Sequence, residues 1–147
     1  MCVLRGATLT LLLTLAALIA STTLLLPALV ILPLPFASAR NVYRAWARCV
    51  AAAWFTFAAM LLEWLGGTRV IVYGDSPPAD ERTSIVIANH HCRIDWMFLW
   101  CVAARQRYAG RLRIALKEGL KRAPFFGWAM QSFLFIFLAR NDRAGDL

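Results

Sequence analysis

Residues 84–107 read SIVIANHHCRIDWMFLWCVAARQR, and the hydrophobic pattern within this stretch changes from that of a strand to that of a helix. The run 84–88 is rich in β-branched residues, which predicts a buried strand. Residues 95–107 place Trp, Met, Phe and Leu on one side, which predicts a helix. A strand that leads through a polar loop into a helix is typical of an α/β sheet. The loop between them holds both histidines of the chain, His90 and His91.

The alternation of strands and helices continues on both sides of this unit. Further strands are predicted at 69–73, 112–116 and 134–139, with a turn at 74–81. A short helix is predicted at 125–133, and its aromatic residues are expected in the core or on a membrane-facing surface. The expected architecture is therefore an α/β sheet with helices on both faces.

The N-terminal part has a different character. No ionisable side chain occurs between Gly6 and Ala39, and the stretch 9–30 would form a helix roughly 33 Å long, enough to cross a bilayer core of about 30 Å. We expect Pro27 and the prolines after it to break or end this helix. A cleaved signal peptide is the alternative because residues 37–39 read Ala-Ser-Ala. A membrane anchor is favoured because a signal's apolar core is only about 7–15 residues long.

A second apolar helix is predicted at 46–65, ended by Gly66-Gly67. It contains Glu63 and three tryptophans, so we expect it to lie in the membrane interface or re-enter the bilayer. A buried helix of the following domain is the alternative. Three arginines at 40–48 follow the first span, which predicts a cytosolic location for that flank.

Composition narrows the class of protein. The 147 residues are 61% hydrophobic, which excludes a disordered chain. The net charge of +8 suits either nucleic acid or an anionic membrane surface. No nucleic-acid-binding motif is present, so the membrane is favoured and no nucleic-acid partner is expected. The four cysteines lack CxxC spacing, which indicates reduced thiols rather than a disulfide framework or zinc site.

His90 and Asp95 are candidates for acid/base chemistry, because a carboxylate can hold an imidazole in the tautomer that acts as a base. Five residues separate them, so they can meet only if His90 lies in the loop and Asp95 in the first helical turn. The alternative is structural: Asn89 as a helix cap, Asp95 as a first-turn acid and solvated histidines. Cys92 as a nucleophile also stays open, whereas a metal site is disfavoured because no third ligand lies nearby.

The pattern Asn89-His90-x4-Asp95 resembles the NHxxxxD signature of the glycerolipid and lysophospholipid acyltransferases. The longer run 89–100, NHHCRIDWMFLW, is similar to the lysocardiolipin acyltransferase-like branch, and the resemblance continues through 116–131 and through FIFLAR at 135–140. The family's third and fourth motifs have no counterpart before residue 147. The sequence is therefore expected to be the N-terminal portion of such an enzyme, with an anchor at 1–65 and part of the acyltransferase domain at 66–147.

The resemblance implies a glycerol-3-phosphate acyltransferase-like sheet, here incomplete. It also implies transfer of an acyl group from acyl-CoA to the hydroxyl of a lysophospholipid of the lysocardiolipin, lysophosphatidylinositol or lysophosphatidic acid class. His90 would be the general base, Asp95 would orient it, and Arg140 and Lys117 would bind substrate. Acyl-CoA is then a co-substrate, with no other cofactor and no metal. The expected location is the endoplasmic reticulum, with mitochondria-associated membrane second. An inactive lipid-binding form and a CoA-independent transacylase stay as alternatives.

Overall fold

The computed structural model describes residues 2–75, 84–89, 91–92, 94–123 and 126–139. These residues are mostly helical. The helices and strands are α1 (Cys2–Ile31), α2 (Ala37–Trp64), α3 (Asp95–Arg105), β1 (Ala115–Lys117), α4 (Phe126–Ser132) and β2 (Ile136–Leu138). Short 3-10 turns lie at Ala109–Arg111 and Glu118–Arg122.

Helix α1 extends beyond the predicted span of 9–30 at both ends and continues through Pro27, so the expected break at this proline is wrong. Proline has no N–H, so it cannot donate to the carbonyl of Thr23, four residues earlier. The indole Nε1 of Trp46 in α2 donates to that carbonyl instead, at 3.1 Å. A neighbouring helix therefore supplies the donor that Pro27 lacks, and α1 ends only at Ile31, before Pro33.

The hydroxyl groups of α1 are satisfied within the helix. Each of six side chains donates to the carbonyl four residues earlier, at 2.6–2.9 Å: Thr8, Thr10, Thr14, Ser21, Thr22 and Thr23. This arrangement lets a helix carry hydroxyls in apolar surroundings, where water cannot serve as their partner. Both α1 and α2 are long and apolar enough to cross a membrane, by length and composition alone.

Helix α2 begins earlier than the predicted 46–65 and includes the three arginines at 40–48. It returns along α1 and also packs against α3, so it is the central helix of the structure. Its buried side includes Tyr43, Phe55 and several alanines. The Tyr43 hydroxyl donates to the carbonyl of Ser132 at 3.2 Å, which ties α2 to the end of α4. Gly67, at φ 66°, follows the helix end, as the sequence predicted.

The sheet is much smaller than predicted. β1 and β2 pair in parallel, with Leu116 opposite Phe137. β2 lies within the run predicted at 134–139, and β1 overlaps the end of the run predicted at 112–116. The predicted strands at 69–73 and 84–88 are wrong, because the structure has no strand at these residues. A strand exists only through hydrogen bonds to a neighbour, and β1 and β2 form the one sheet among the described residues. The apolar run 84–88 is exposed, so the expectation of helices on both faces of a broad sheet is not met in this part of the chain.

One hydrophobic core joins the helices and β2. Its centre is aromatic: the ring of Phe55 lies 4.8 Å from that of Trp100 and 5.6 Å from that of Phe133. The helical turn at 109–111 approaches α2 very closely, because a Cβ on Gly110 would overlap the carbonyl oxygen of Arg48. Glycine at this position therefore permits the contact between the two segments.

Candidate functional site

Asp95 is the first residue of α3, in the first helical turn as the sequence predicted. Its Oδ2 accepts hydrogen bonds from the main-chain N–H groups of His91 at 2.6 Å and Cys92 at 2.8 Å. The N–H of Asp95 in turn donates to the carbonyl of Cys92. The carboxylate thus closes the loop before α3 by accepting hydrogen bonds from main-chain N–H groups four and three residues back.

Cys92 contributes its side chain to the same arrangement. Its thiol donates to Oδ1 of Asp95, and the residue is exposed. Sequence reasoning considered Cys92 only as a nucleophile and missed this role as a donor to the carboxylate. The signal that could have indicated it is the closeness of Cys92 and Asp95 in sequence, because Asp side chains commonly bond to neighbouring residues of their own loop.

The other predicted site residues are distributed as follows. His90 and Arg140 lie outside the described residues, so their roles stay predictions. Lys117 is exposed at the last position of β1, opposite Leu138 of β2. The ends of both strands therefore lie at one edge of the small sheet, and Arg140 follows Leu138 by two residues. The contacts of Asp95 given above come from its own loop, whereas Lys117 belongs to a separate element.

An apolar cavity of about 350 Å³ lies close to the start of α3. Trp96, which follows Asp95 directly, forms part of its wall, and its ring lies 4.5 Å from that of Trp100. The cavity is lined from four helices by Leu13, Thr14, Ala17, Leu18, Ala20, Ser21, Trp54, Trp96, Trp100, Phe126, Ala129, Met130 and Phe133. Sequence reasoning did not find it, because no local pattern indicates that residues so far apart in sequence surround one space.

The charged groups near α3 make internal contacts. Glu63 of α2 pairs with Arg105 at the end of α3 and also accepts a hydrogen bond from the N–H of Val70. Burial, followed by the negative charge of Glu63, raises the pKa of the Cys101 thiol. Burial, followed by the charge of Arg48, lowers the pKa of Arg113.

The arginines between residues 105 and 113 differ in their contacts. Arg113 donates to the carbonyl of Leu112 at 2.7 Å, and Arg105 pairs with Glu63. Arg105, Arg107 and Arg111 are exposed. Within the described residues, no three His, Cys, Asp or Glu side chains come together in a group that could hold a metal ion.

Comparisons with known proteins identify the family. Residues 69–146 match the family model described as Acyltransferase. The chain is 47% identical over 92 residues to lysocardiolipin acyltransferase 1 of Danio rerio, covering 63% of this chain and 24% of that protein. It is 44% identical over 111 residues to lysocardiolipin acyltransferase 1 of Mus musculus, covering 76% and 29%. Lysophosphatidylinositol acyltransferase 10 of Caenorhabditis elegans is 38% identical over 90 residues, covering 60% and 23%.

The chain spans about a quarter of the length of these relatives. No solved structure matches it. The family model covers more than half of the chain, including the loop before α3, the small sheet and the segment that joins its strands. This confirms the resemblance seen in the sequence. The chain belongs to the acyltransferase family.

Proposed function

We propose that the protein is a membrane-bound enzyme that transfers an acyl group from acyl-CoA to the free hydroxyl of a lysophospholipid. The observation that carries this proposal is the loop closed by Asp95. A carboxylate held by two main-chain N–H groups has a defined position. Acid/base catalysis on a hydroxyl requires a carboxylate of fixed position that can orient a histidine, and His90 is the residue proposed for that role.

In the proposed reaction His90 removes the proton of the lysophospholipid hydroxyl as its oxygen attacks the thioester carbonyl carbon. Asp95 orients the imidazole and stabilises the imidazolium that forms. The tetrahedral intermediate then collapses, the carbon–sulfur bond breaks, and the CoA thiolate takes the proton from His90. The N–H groups of His91 and Cys92 are already engaged by Asp95, so other donors would have to stabilise the oxyanion.

We propose that phosphate binds at the edge of the small sheet where β1 and β2 end. Lys117 is exposed at the end of β1, and Arg140 follows β2 in sequence. A guanidinium can bind a phosphate through two parallel hydrogen bonds, and an ammonium adds a point charge. This edge therefore suits the phosphate of the lysophospholipid or of CoA.

The membrane location rests on α1 and α2. Helix α1 exposes large apolar side chains along most of its length, including Leu11, Leu15, Ile19 and Leu26. Apolar surface on this scale is unfavourable in water and favourable in a bilayer. The names of the relatives place them among enzymes of lysophospholipid acylation, which agrees with a membrane enzyme. We propose the endoplasmic reticulum as its location, as the family resemblance implies, with mitochondria-associated membrane second.

The histidine pair provides the test. His90→Ala should lower kcat/KM by about 10²–10⁴-fold, the usual contribution of a general base. His91→Ala is the matched control and should leave kcat/KM unchanged, because His91 holds Asp95 through its main-chain N–H. The assay follows radiolabelled acyl-CoA into lysocardiolipin, lysophosphatidylinositol or lysophosphatidic acid, with the protein in nanodiscs.

Full activity of His90→Ala would contradict the proposed mechanism. Turnover between two phospholipids without acyl-CoA would identify a transacylase instead. Wild-type protein without any transfer activity would favour a lipid-binding role.

A further inference from the structure

The two oxygens of the Asp95 carboxylate have different partners. Oδ2 accepts hydrogen bonds from the main-chain N–H groups of His91 and Cys92, at 2.6 and 2.8 Å. Oδ1 accepts a hydrogen bond from the thiol of Cys92. Cys92 therefore reaches both oxygens, one with its main chain and the other with its side chain.

The main-chain donors alone do not fix the plane of this carboxylate. They hold one oxygen, and the terminal torsion of an aspartate side chain is broad, so the group can still turn about the bond that carries it. The thiol holds the second oxygen, and two fixed oxygens define the plane. Because an imidazole N–H donates along a preferred direction, the plane of the carboxylate determines how a histidine beside it is oriented.

The same contact indicates the chemical role of the Cys92 side chain. A thiol that donates a hydrogen bond carries its proton, whereas a cysteine nucleophile reacts as the thiolate. Cys92 is exposed and Asp95 is half-buried, so the hydrogen bond lies at the surface of the loop before α3. This geometry favours a donor over a nucleophile.

We propose that Cys92 is a positioning residue for the acid/base site of His90 and Asp95: its thiol holds Oδ1 of Asp95 and thereby fixes the plane of the carboxylate that orients His90. Cys92 acts through Asp95 and reacts with neither substrate. The inference rests on the proposed acyl transfer, in which His90 is the general base. A misplacement of about 1 Å can lower a catalytic rate on the order of 100-fold, so the loss of one of three donors should be measurable.

Two substitutions separate the hydrogen bond of Cys92 from its other properties. Cys92→Ala removes the side-chain donor, and Cys92→Ser keeps a donor at the same position. Cys92→Ala should lower kcat on the order of 10-fold, the lower end of the effect of a hydrogen bond to a charged group, and leave the KM of both substrates unchanged. Cys92→Ser should restore most of the lost kcat. Cys49→Ala removes another exposed thiol, on α2, and is the matched control that should keep the wild-type kcat.

Several results of these assays would overturn the inference. They are a wild-type kcat for Cys92→Ala, or a raised KM with an unchanged kcat. Equal losses in Cys92→Ser and Cys92→Ala would also overturn it, because a nucleophile depends on the sulfur whereas a donor does not. His90→Ala, assayed in parallel, tests the reaction itself. If His90→Ala is inactive while Cys92→Ala is fully active, only the role of Cys92 is wrong; if His90→Ala is fully active, the proposed reaction and the role of Cys92 are both wrong.

Infrared spectroscopy of the protein in nanodiscs tests the hydrogen bond without turnover. The S–H stretching band moves to lower frequency when a thiol donates a hydrogen bond, and the difference between the spectra of the wild-type protein and Cys92→Ser isolates the band of Cys92. In an Asp95→Asn background this band should move to higher frequency, because a neutral amide is a weaker acceptor than a carboxylate. A Cys92 band that does not respond to Asp95→Asn would overturn the inference. A band that responds, in a wild-type protein without acyl transfer, would contradict the proposed reaction and with it the role of Cys92.

Discussion

Trp46→Phe should destabilise the α1–α2 hairpin more when Pro27 is present than after Pro27→Ala, because the indole replaces the hydrogen bond that the proline cannot make. In the wild-type chain, the loss of Nε1 leaves the Thr23 carbonyl without its donor. In a Pro27→Ala background, the N–H of residue 27 can donate to the same carbonyl. The loss of ring contacts is common to both backgrounds, so a double-mutant cycle isolates the hydrogen bond.

The magnitude follows from the geometry. The bond is 3.1 Å long, between neutral groups, and Trp46 is 42% exposed. Neutral hydrogen bonds contribute about 0.5–1.5 kcal/mol in proteins and about 0.6 kcal/mol on average between membrane helices. We therefore expect a coupling of about 1 kcal/mol between Trp46→Phe and Pro27→Ala. For a chain of this size, that corresponds to a difference of roughly 2–4 °C in Tm.

Thermal unfolding in detergent micelles, followed by circular dichroism, measures the four free energies of unfolding. The cost of Trp46→Phe should be about 1 kcal/mol larger with Pro27 than with alanine at this position. Additive effects, within about 0.3 kcal/mol, would refute the view that the indole compensates for the proline.

Three further predictions concern the packing and charges around α3. Gly110→Ala should lower the free energy of unfolding by about 1–3 kcal/mol, because its Cβ would overlap a carbonyl of α2. Gly119→Ala is the control: the space around Gly119 is open, so this variant should be tolerated in the same thermal assay. Glu63 and Arg105 form a half-exposed ion pair, so a double-mutant cycle should give a coupling energy below about 1 kcal/mol that weakens in high salt. A larger coupling energy that does not depend on salt would contradict the assignment as a surface pair. Burial raises the pKa of Cys101 from its ordinary value of 9.0, so above that pH the unfolded chain releases a proton that the native state keeps. The free energy of unfolding should therefore fall as the pH rises above 9.0, and Cys101→Ala should reduce this slope.

The sequence alone was sufficient to predict the features that depend on local pattern. The uncharged run before Ala39 predicted α1, and the double glycine after Leu65 predicted the end of α2. The loop and helix around Asp95 were predicted because a polar loop, a first-turn acid and an amphipathic run lie next to one another in the chain. The family could also be recognised at this level, because its motifs are short and ordered along the sequence.

Tertiary structure decided the features that depend on a partner from elsewhere in the chain. Pro27 remains helical because Trp46 of another helix supplies a donor, and no local rule contains that information. The run 84–88 has the composition of a strand but no neighbouring strand among the described residues, and backbone hydrogen bonds rather than propensity make a sheet. The cavity beside Trp96 exists because four helices meet around it. Local preferences act between residues close in sequence, whereas packing and hydrogen-bond satisfaction are settled only when distant segments come together.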